Sequence, residues 1–190
     1  MRITGGSLVR RRFLIPDLVD DNVVRPTPDR VREAVFSMIK NYLAGAYVLD
    51  IFAGSGSHGF EAISRGADFV NFVERNESII SVIKNNIKSL GLDAQCKITK
   101  SDALSYVNDR PERIADVVFV DPPYSLVLDE LFFINLKKHL SDNGIVIFRC
   151  FKKEKINFEE SFSIERDRNY GGTRVLILVK KNTAPNNEHL

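Results

Sequence analysis

Asp121-Pro122-Pro123-Tyr124 is the segment of this 190-residue chain whose residue types point most directly to chemistry. Two consecutive prolines fix φ and remove two backbone donors, so the chain there is stiff, extended and rich in unengaged carbonyls. An exocyclic amino group on a purine or cytosine is a poor nucleophile, because its lone pair is delocalised into the ring. A carboxylate at Asp121 and a nearby carbonyl can accept its two N–H bonds and favour a more tetrahedral nitrogen. A fixed anion also stabilises the positive charge that grows on that nitrogen as it takes a methyl group. The ring of Tyr124 can stack on a base swung out of its helix. Asp121, Pro122, Pro123 and Tyr124 are therefore the candidate catalytic residues; the competing reading is a plain strand-to-loop breaker.

A second concentration is Asp50-Ile51-Phe52-Ala53-Gly54-Ser55-Gly56-Ser57-His58-Gly59, in which Gly54, Gly56 and Gly59 satisfy G-x-G-x-x-G. Glycines at this spacing, after a strand and before a helix, allow a sharp turn and close approach of a ligand to the backbone. Phe52, Ala53 and Ser55 fill the same loop. Glu74, followed by Arg75, lies 20 residues beyond Gly54 and can accept the two hydroxyls of a ribose. NAD and S-adenosylmethionine (SAM) sites share that feature. Asp50 separates them: an acid before the glycine loop suits a ligand ending in an ammonium group and is badly placed for a pyrophosphate. At a third tip, Ser101-Asp102-Ala103, Asp102 can either cap a helix or bind an adenine amino group.

These tips need a scaffold whose strands end together. From Tyr47 the pattern alternates strands and helices. Strands are expected at Tyr47–Phe52, Phe69–Glu74, Ala94–Thr99, Asp116–Asp121 and Ile145–Cys150. Helices are expected at Ser57–Arg65, Asn76–Leu90 and Ala103–Asn108, with Leu126–Leu140 mostly helical. Near-continuous apolar strands between helices mean a parallel sheet covered on both faces. Phe162–Asp167 and Thr173–Lys180, joined by Asn169-Tyr170-Gly171-Gly172, read as an antiparallel hairpin. The expected fold is α/β: a doubly wound, mostly parallel seven-stranded sheet ending in an antiparallel hairpin, as in class I SAM-dependent methyltransferases, with a small N-terminal extension. In that extension Val9 to Ile15 is a candidate strand. A helix follows, with Thr27 as cap, Pro28 at its first position and an apolar stripe from Val31 to Leu43, ended by Gly45. The expected organisation is an N-terminal arm and helix over 1–45, the methyltransferase domain over 46–180 and a flexible tail over 181–190.

The formal net charge is only +2, but residues 1–40 carry eight basic against five acidic side chains. A basic end on a near-neutral body suits a polyanion, or is simply a solvated face. Arg10, Arg11, Arg12, Arg25, Thr27, Arg30 and Arg32 are the expected RNA contacts. Two cysteines without metal-ligand spacing suggest a reducing compartment and no metal. No apolar run reaches the length of a signal peptide or membrane span. A cytoplasmic monomer is expected.

With these residues in hand, the chain resembles the bacterial 16S ribosomal RNA guanine-N2 methyltransferases of the RsmD type, from Arg2 to about Val179. Arg2-Ile3-Thr4-Gly5-Gly6 is similar to that family's opening, and Arg25-Pro26-Thr27-Pro28-Asp29-Arg30-Val31-Arg32-Glu33 to its R-P-T-x-D-x-x-R-E segment. Asp50–Gly59, Val73-Glu74, Asp121–Tyr124 and Tyr170-Gly171-Gly172-Thr173 also fall in the family's places. The resemblance implies SAM as cofactor, a guanine N2 in small-subunit rRNA or an assembling 30S particle as substrate, and Asp121–Tyr124 as catalytic loop. The chain departs at His58, usually apolar, and at Arg149-Cys150, where an acid followed by His is usual. Alternatives are a DNA adenine-N6 or cytosine-N4 methyltransferase, which usually needs a target-reading domain, and a protein-glutamine methyltransferase, whose loop resembles Asn-Pro-Pro-Tyr. A non-catalytic RNA-binding module on the same fold would predict a damaged glycine loop. A dehydrogenase leaves Asp50 and Pro122-Pro123 unexplained.

Overall fold

The computed structural model describes residues 1–16, 28–123, 126–152 and 156–181. Its centre is a seven-stranded sheet in the order β3-β2-β1-β4-β5-β7-β6. The strands are β1 (Tyr47–Ile51), β2 (Phe69–Glu74), β3 (Cys96–Lys100), β4 (Ala115–Val120), β5 (Leu140–Phe151), β6 (Phe162–Tyr170) and β7 (Thr173–Lys180). β1 to β5 pair in parallel; β7 runs antiparallel to both β5 and β6. This is the expected doubly wound sheet with its closing hairpin.

Among the described residues the α-helices are α1 (Asp29–Met38), α2 (Ser57–Ser64), α3 (Glu77–Leu90), α4 (Ala103–Asn108) and α5 (Glu130–Leu136). The sequence shows why α3 forms where it does. The Asn76 side chain accepts from Ser78 N–H at the start, Gly91 adopts φ +73° at the end, and Ile79, Ile80, Ile83, Ile87 and Leu90 are buried. The central strands are buried on both faces because alternate residues feed separate cores. Val117 and Phe119 pack with Phe36, Phe60 and Phe72 beneath α1 and α2. Val118 and Val120 pack with Phe133 and Leu136 of α5.

The N-terminal extension differs from expectation. Val9–Ile15 is not a strand: the chain turns at Gly5–Arg10, and an isolated Arg2–Arg12 bridge closes the loop. Ile3 and Phe13 from this loop are buried in the same core as Val35 and Phe36 of α1. Pro28 is the N-cap of α1 rather than its first residue, and α1 ends at Met38, well before Gly45. Arg25, Thr27 and most of the 181–190 tail lie outside the described residues. Among the described residues no helix is long and apolar enough to cross a membrane, and no three His, Cys, Asp or Glu side chains gather to hold a metal ion.

Candidate active site

Register brings the candidate residues to one edge. Ile51 of β1 lies beside Val73 of β2 and Val120 of β4, so the three strands run out together. Their tips and the loops beyond carry Phe52–Gly56, Glu74–Arg75 and Asp121–Pro123. In open α/β sheets that carboxyl edge is where ligands bind.

The glycine loop is tightly wound. Gly54 and Gly56 have φ of +52° and +74°, and Phe52 has φ +64°. A bulky residue held in the left-handed region is strained, and such strain concentrates at ligand sites. Glu74 ties the loop to β2: its carboxylate accepts from Gly54 N–H at 3.1 Å and from the Arg75 and Asn76 N–H groups at 2.9 Å each. Gly59 has a different role. A Cβ there would come within 2.2 Å of the Phe72 ring, so its place is set by close packing of α2 on the sheet.

Asp50 is 1% exposed. Its Oδ2 accepts the Gly59 N–H at 3.0 Å, while Oδ1 has no hydrogen-bond partner among the described residues. Burial pushes its carboxyl well above the usual range; the Gly59 bond pulls down, and Asp121 and Glu74 push further up. A buried oxygen left unmatched costs free energy, and a cationic or hydrogen-bond-donating ligand group relieves that cost. Among the site residues, this is the feature that most directly fits an ammonium-bearing cofactor. Asp102 caps α4 through Leu104 and Ser105 N–H, and its other oxygen pairs with Arg75 at 3.2 Å. Ala103 is buried at the start of α4.

Asp121 follows the last residue of β4. Its Oδ1 lies 2.8 Å from Arg149 Nε on β5. Burial raises its carboxyl to about 6, against the lowering effect of Arg149. Pro122 is half-buried and Pro123 exposed; Tyr124 lies outside the described residues. His58 is buried against Phe119, their rings parallel within 8° at 5.0 Å. Burial, followed by Arg149 and Arg32, lowers its pKa to about 3, which keeps it neutral. The sequence flagged Arg149 and His58 as departures but gave no sign that one pairs with Asp121 and the other lies beside that pair.

The expected RNA contacts divide. Arg10, Arg11, Arg12 and Arg30 are exposed, and Arg11 also donates to Ser89 O at 3.1 Å. Arg32 does not belong with them. Its side chain is 0% exposed and engages Glu61 on α2 at 3.2 Å, Asp29 at 2.8 Å and the Arg2 carbonyl at 2.7 Å. A guanidinium so enclosed has no face for a phosphate. Glu61, missed in the sequence, also accepts from Thr4 N–H and Oγ1 and from Arg65, locking the N-terminal loop and α1 onto α2. A lone Glu within a helix reads as a solvated residue unless its buried face is known.

Comparison with known proteins agrees with this architecture. The chain is 31% identical to Bacillus subtilis YlbH, named as a proposed rRNA methyltransferase, over 95% of this chain and all of that one. It is 35% identical to ribosomal RNA small subunit methyltransferase D of Escherichia coli K12, over 76% and 68% of the two chains. A solved Escherichia coli structure, named as the proposed methyltransferase yhhF, superposes with a TM-score of 0.82 at 27% identity, covering 95% of this chain and 98% of that one. The family model described as Conserved hypothetical protein 95 matches residues 1–179, and the chain belongs to that family, of the RsmD type to which its sequence motifs point.

Proposed function

We propose that this chain transfers a methyl group from SAM to the N2 amino group of a guanine in small-subunit ribosomal RNA. Support comes from the site and from relatives such as the Escherichia coli K12 protein, whose name specifies ribosomal RNA of the small subunit. The observation that carries the reading is the convergence of two carboxyl groups at one sheet edge: Asp50, buried with an unmatched oxygen at the glycine loop, and Asp121, half-buried ahead of two prolines. Asp50 would hold the ammonium of SAM, Glu74 its ribose hydroxyls and the Phe52–Gly56 backbone its length, with Asp102 and Ala103 near the adenine. SAM supplies an electrophilic methyl group on a positively charged sulfur.

Asp121 and the carbonyl of Pro122 accept the two N–H bonds of the target amino group and direct its lone pair outward. When bound, SAM would supply its methyl group to that lone pair, its sulfur keeping the electrons of the broken bond. The nitrogen becomes cationic and then releases one proton through Asp121 to water. Asp121 interacts more strongly with the cationic nitrogen than with the neutral one, and an interaction that strengthens along the path raises the turnover rate. Tyr124 would stack on the extruded base, and Arg10, Arg11, Arg12, Arg25, Thr27 and Arg30 would contact the phosphates.

The test is incubation of the protein with labelled SAM and ribosomal RNA or 30S particles from methylase-deficient cells, followed by mapping of the modified nucleoside. N2-methylguanosine in the small-subunit RNA is the expected product. Label on adenine, on cytosine or on protein alone would overturn the reading.

A further inference from the structure

We propose that Arg149 is a positioning residue for methyl transfer, holding Oδ1 of Asp121 so that Oδ2 is left to the amino group of the target base. This rests on the reading of Asp121 as acceptor for that group. β4 and β5 run parallel with Val120 beside Phe148, so Asp121 and Arg149 are the next residues out at the sheet edge. By strand alternation both lie on the face of Phe119 and Ile147, the face covered by α1 and α2. The 2.8 Å pair is well shielded, its side chains 12% and 19% exposed. β7 flanks Arg149 with Val175, and Val31, Val35, His58 and Phe119 line the small cavity beside the pair. In such apolar surroundings an ion pair fixes orientation more firmly than it would in water.

The geometry has an electrostatic consequence. Among the described residues the charged groups nearest in effect are Arg149 of β5, which acts on Asp121, and Asp50 of β1, whose own carboxyl Asp121 and Glu74 push up. His58 of α2 is held neutral, and Arg32 of α1 lies behind it. Burial is what raises the Asp121 carboxyl, and Arg149 opposes it at contact distance, yet Asp121 still sits at about 6. Without Arg149 the carboxyl would carry a proton near neutral pH and present a donor where the reaction needs an acceptor.

The experiment is single-turnover methylation of ribosomal RNA from pH 5.5 to 8.5 by wild type, Arg149→Gln, Arg149→Lys and Asp121→Asn. Carbon-13 NMR titration of the Asp121 carboxyl and calorimetric SAM affinity accompany it. In wild type the rate should fall as pH drops through about 6. In Arg149→Gln that limb and the carboxyl titration should both move up by about 1–3 pH units, the range for losing an adjacent opposite charge. By the same shift the rate at pH 7 should fall about 2- to 100-fold and recover with rising pH. Arg149→Lys should keep a limb close to wild type, and SAM affinity should hold in both. An unmoved limb and titration in Arg149→Gln, whether the rate is normal or uniformly reduced, overturns the proposal. Asp121→Asn methylating at the wild-type rate would instead sink the reading of Asp121, and the role of Arg149 with it; a titration that still moves would show the two failures apart.

Discussion

Arg32 of α1 meets Glu61 of α2 at 3.2 Å with both side chains out of solvent, 0% and 1% exposed. Removing one partner of a buried pair typically costs about 3–5 kcal/mol; Asp29 still pairs with Arg32 and Arg65 with Glu61, which brings the cost here to the low end of that range. Glu61→Gln and Arg32→Met should each destabilise the protein by that order in urea unfolding. Arg30→Ala, on the exposed face of α1, should stay within about 0.5 kcal/mol. Equal stabilities for Arg32→Met and Arg30→Ala would show that the buried network contributes nothing.

Asp50 joins stability to ligand binding with opposite signs. Its carboxyl is raised by burial, so the folded state holds that proton more tightly than the unfolded chain. Its contribution is fully present below the unfolded pKa and is lost as pH rises through the folded one. Asn at 50 has no proton to lose and keeps an oxygen for Gly59 N–H. Asp50→Asn should flatten that part of the pH–stability profile and leave the ligand-free protein at least as stable at pH 7. SAM binding should weaken by about 1.5–3 kcal/mol, the range for a hydrogen bond to a charged group. Thermal unfolding across pH and calorimetry read the two effects; undiminished SAM affinity would remove Asp50 from the site.

Asp121→Asn keeps the size of the side chain and one acceptor but loses the charge. Single-turnover methylation should slow by about 10²–10³-fold with little change in RNA affinity. Tyr124→Ala should lose about 1–3 kcal/mol in RNA engagement and rate together, whereas Tyr124→Phe keeps the stacking ring and most of the activity. If the Phe variant is as impaired as the Ala variant, the hydroxyl has a role that stacking omits.

Arg10, Arg11 and Arg12 project from a loop whose neighbours Ile3 and Phe13 are anchored in the core. Their replacement by Ala should weaken RNA binding and reduce the log–log salt slope by up to about 2–3, since each phosphate left without its cation lowers the slope by roughly 0.7–0.9. SAM affinity should hold. A salt slope equal to wild type would make the loop a solvated face.

The sheet was legible because its signal is local. Apolar runs such as Ala115–Val120, ended by an acid and two prolines, leave few readings, and Asn76 with Gly91 brackets α3. β5 was harder. It begins at Leu140, five residues before the apolar run, because Leu140 pairs with Ala115 and the register then shifts before Ile145 meets Val117. Ser141-Asp142-Asn143-Gly144 has the composition of a turn and no strand periodicity. The glycine loop, Glu74 and Asp121 were legible from residue type and spacing. Arg32, Glu61 and Arg149 were not, since a charged residue enters a core only through a partner distant in sequence: 29 residues separate Arg32 from Glu61. The N-terminal strand failed for another reason: Gly5 to Arg10 spends its backbone bonds on turns and on Ser64, leaving one bridge where a ladder was expected.

β3 and β6 stand at the two margins of the sheet, each with a row of backbone N–H and C=O groups that no neighbouring strand claims among the described residues. Such rows template the addition of a strand from another molecule. β3 carries Lys97 and Lys100, and β6 carries the run Glu165-Arg166-Asp167-Arg168 with a break in register between Ile164 and Arg166. A foreign strand laid along either margin would have to strip water from those charges and follow an irregular edge. Both margins of the seven-stranded sheet are thus poor templates for a further strand.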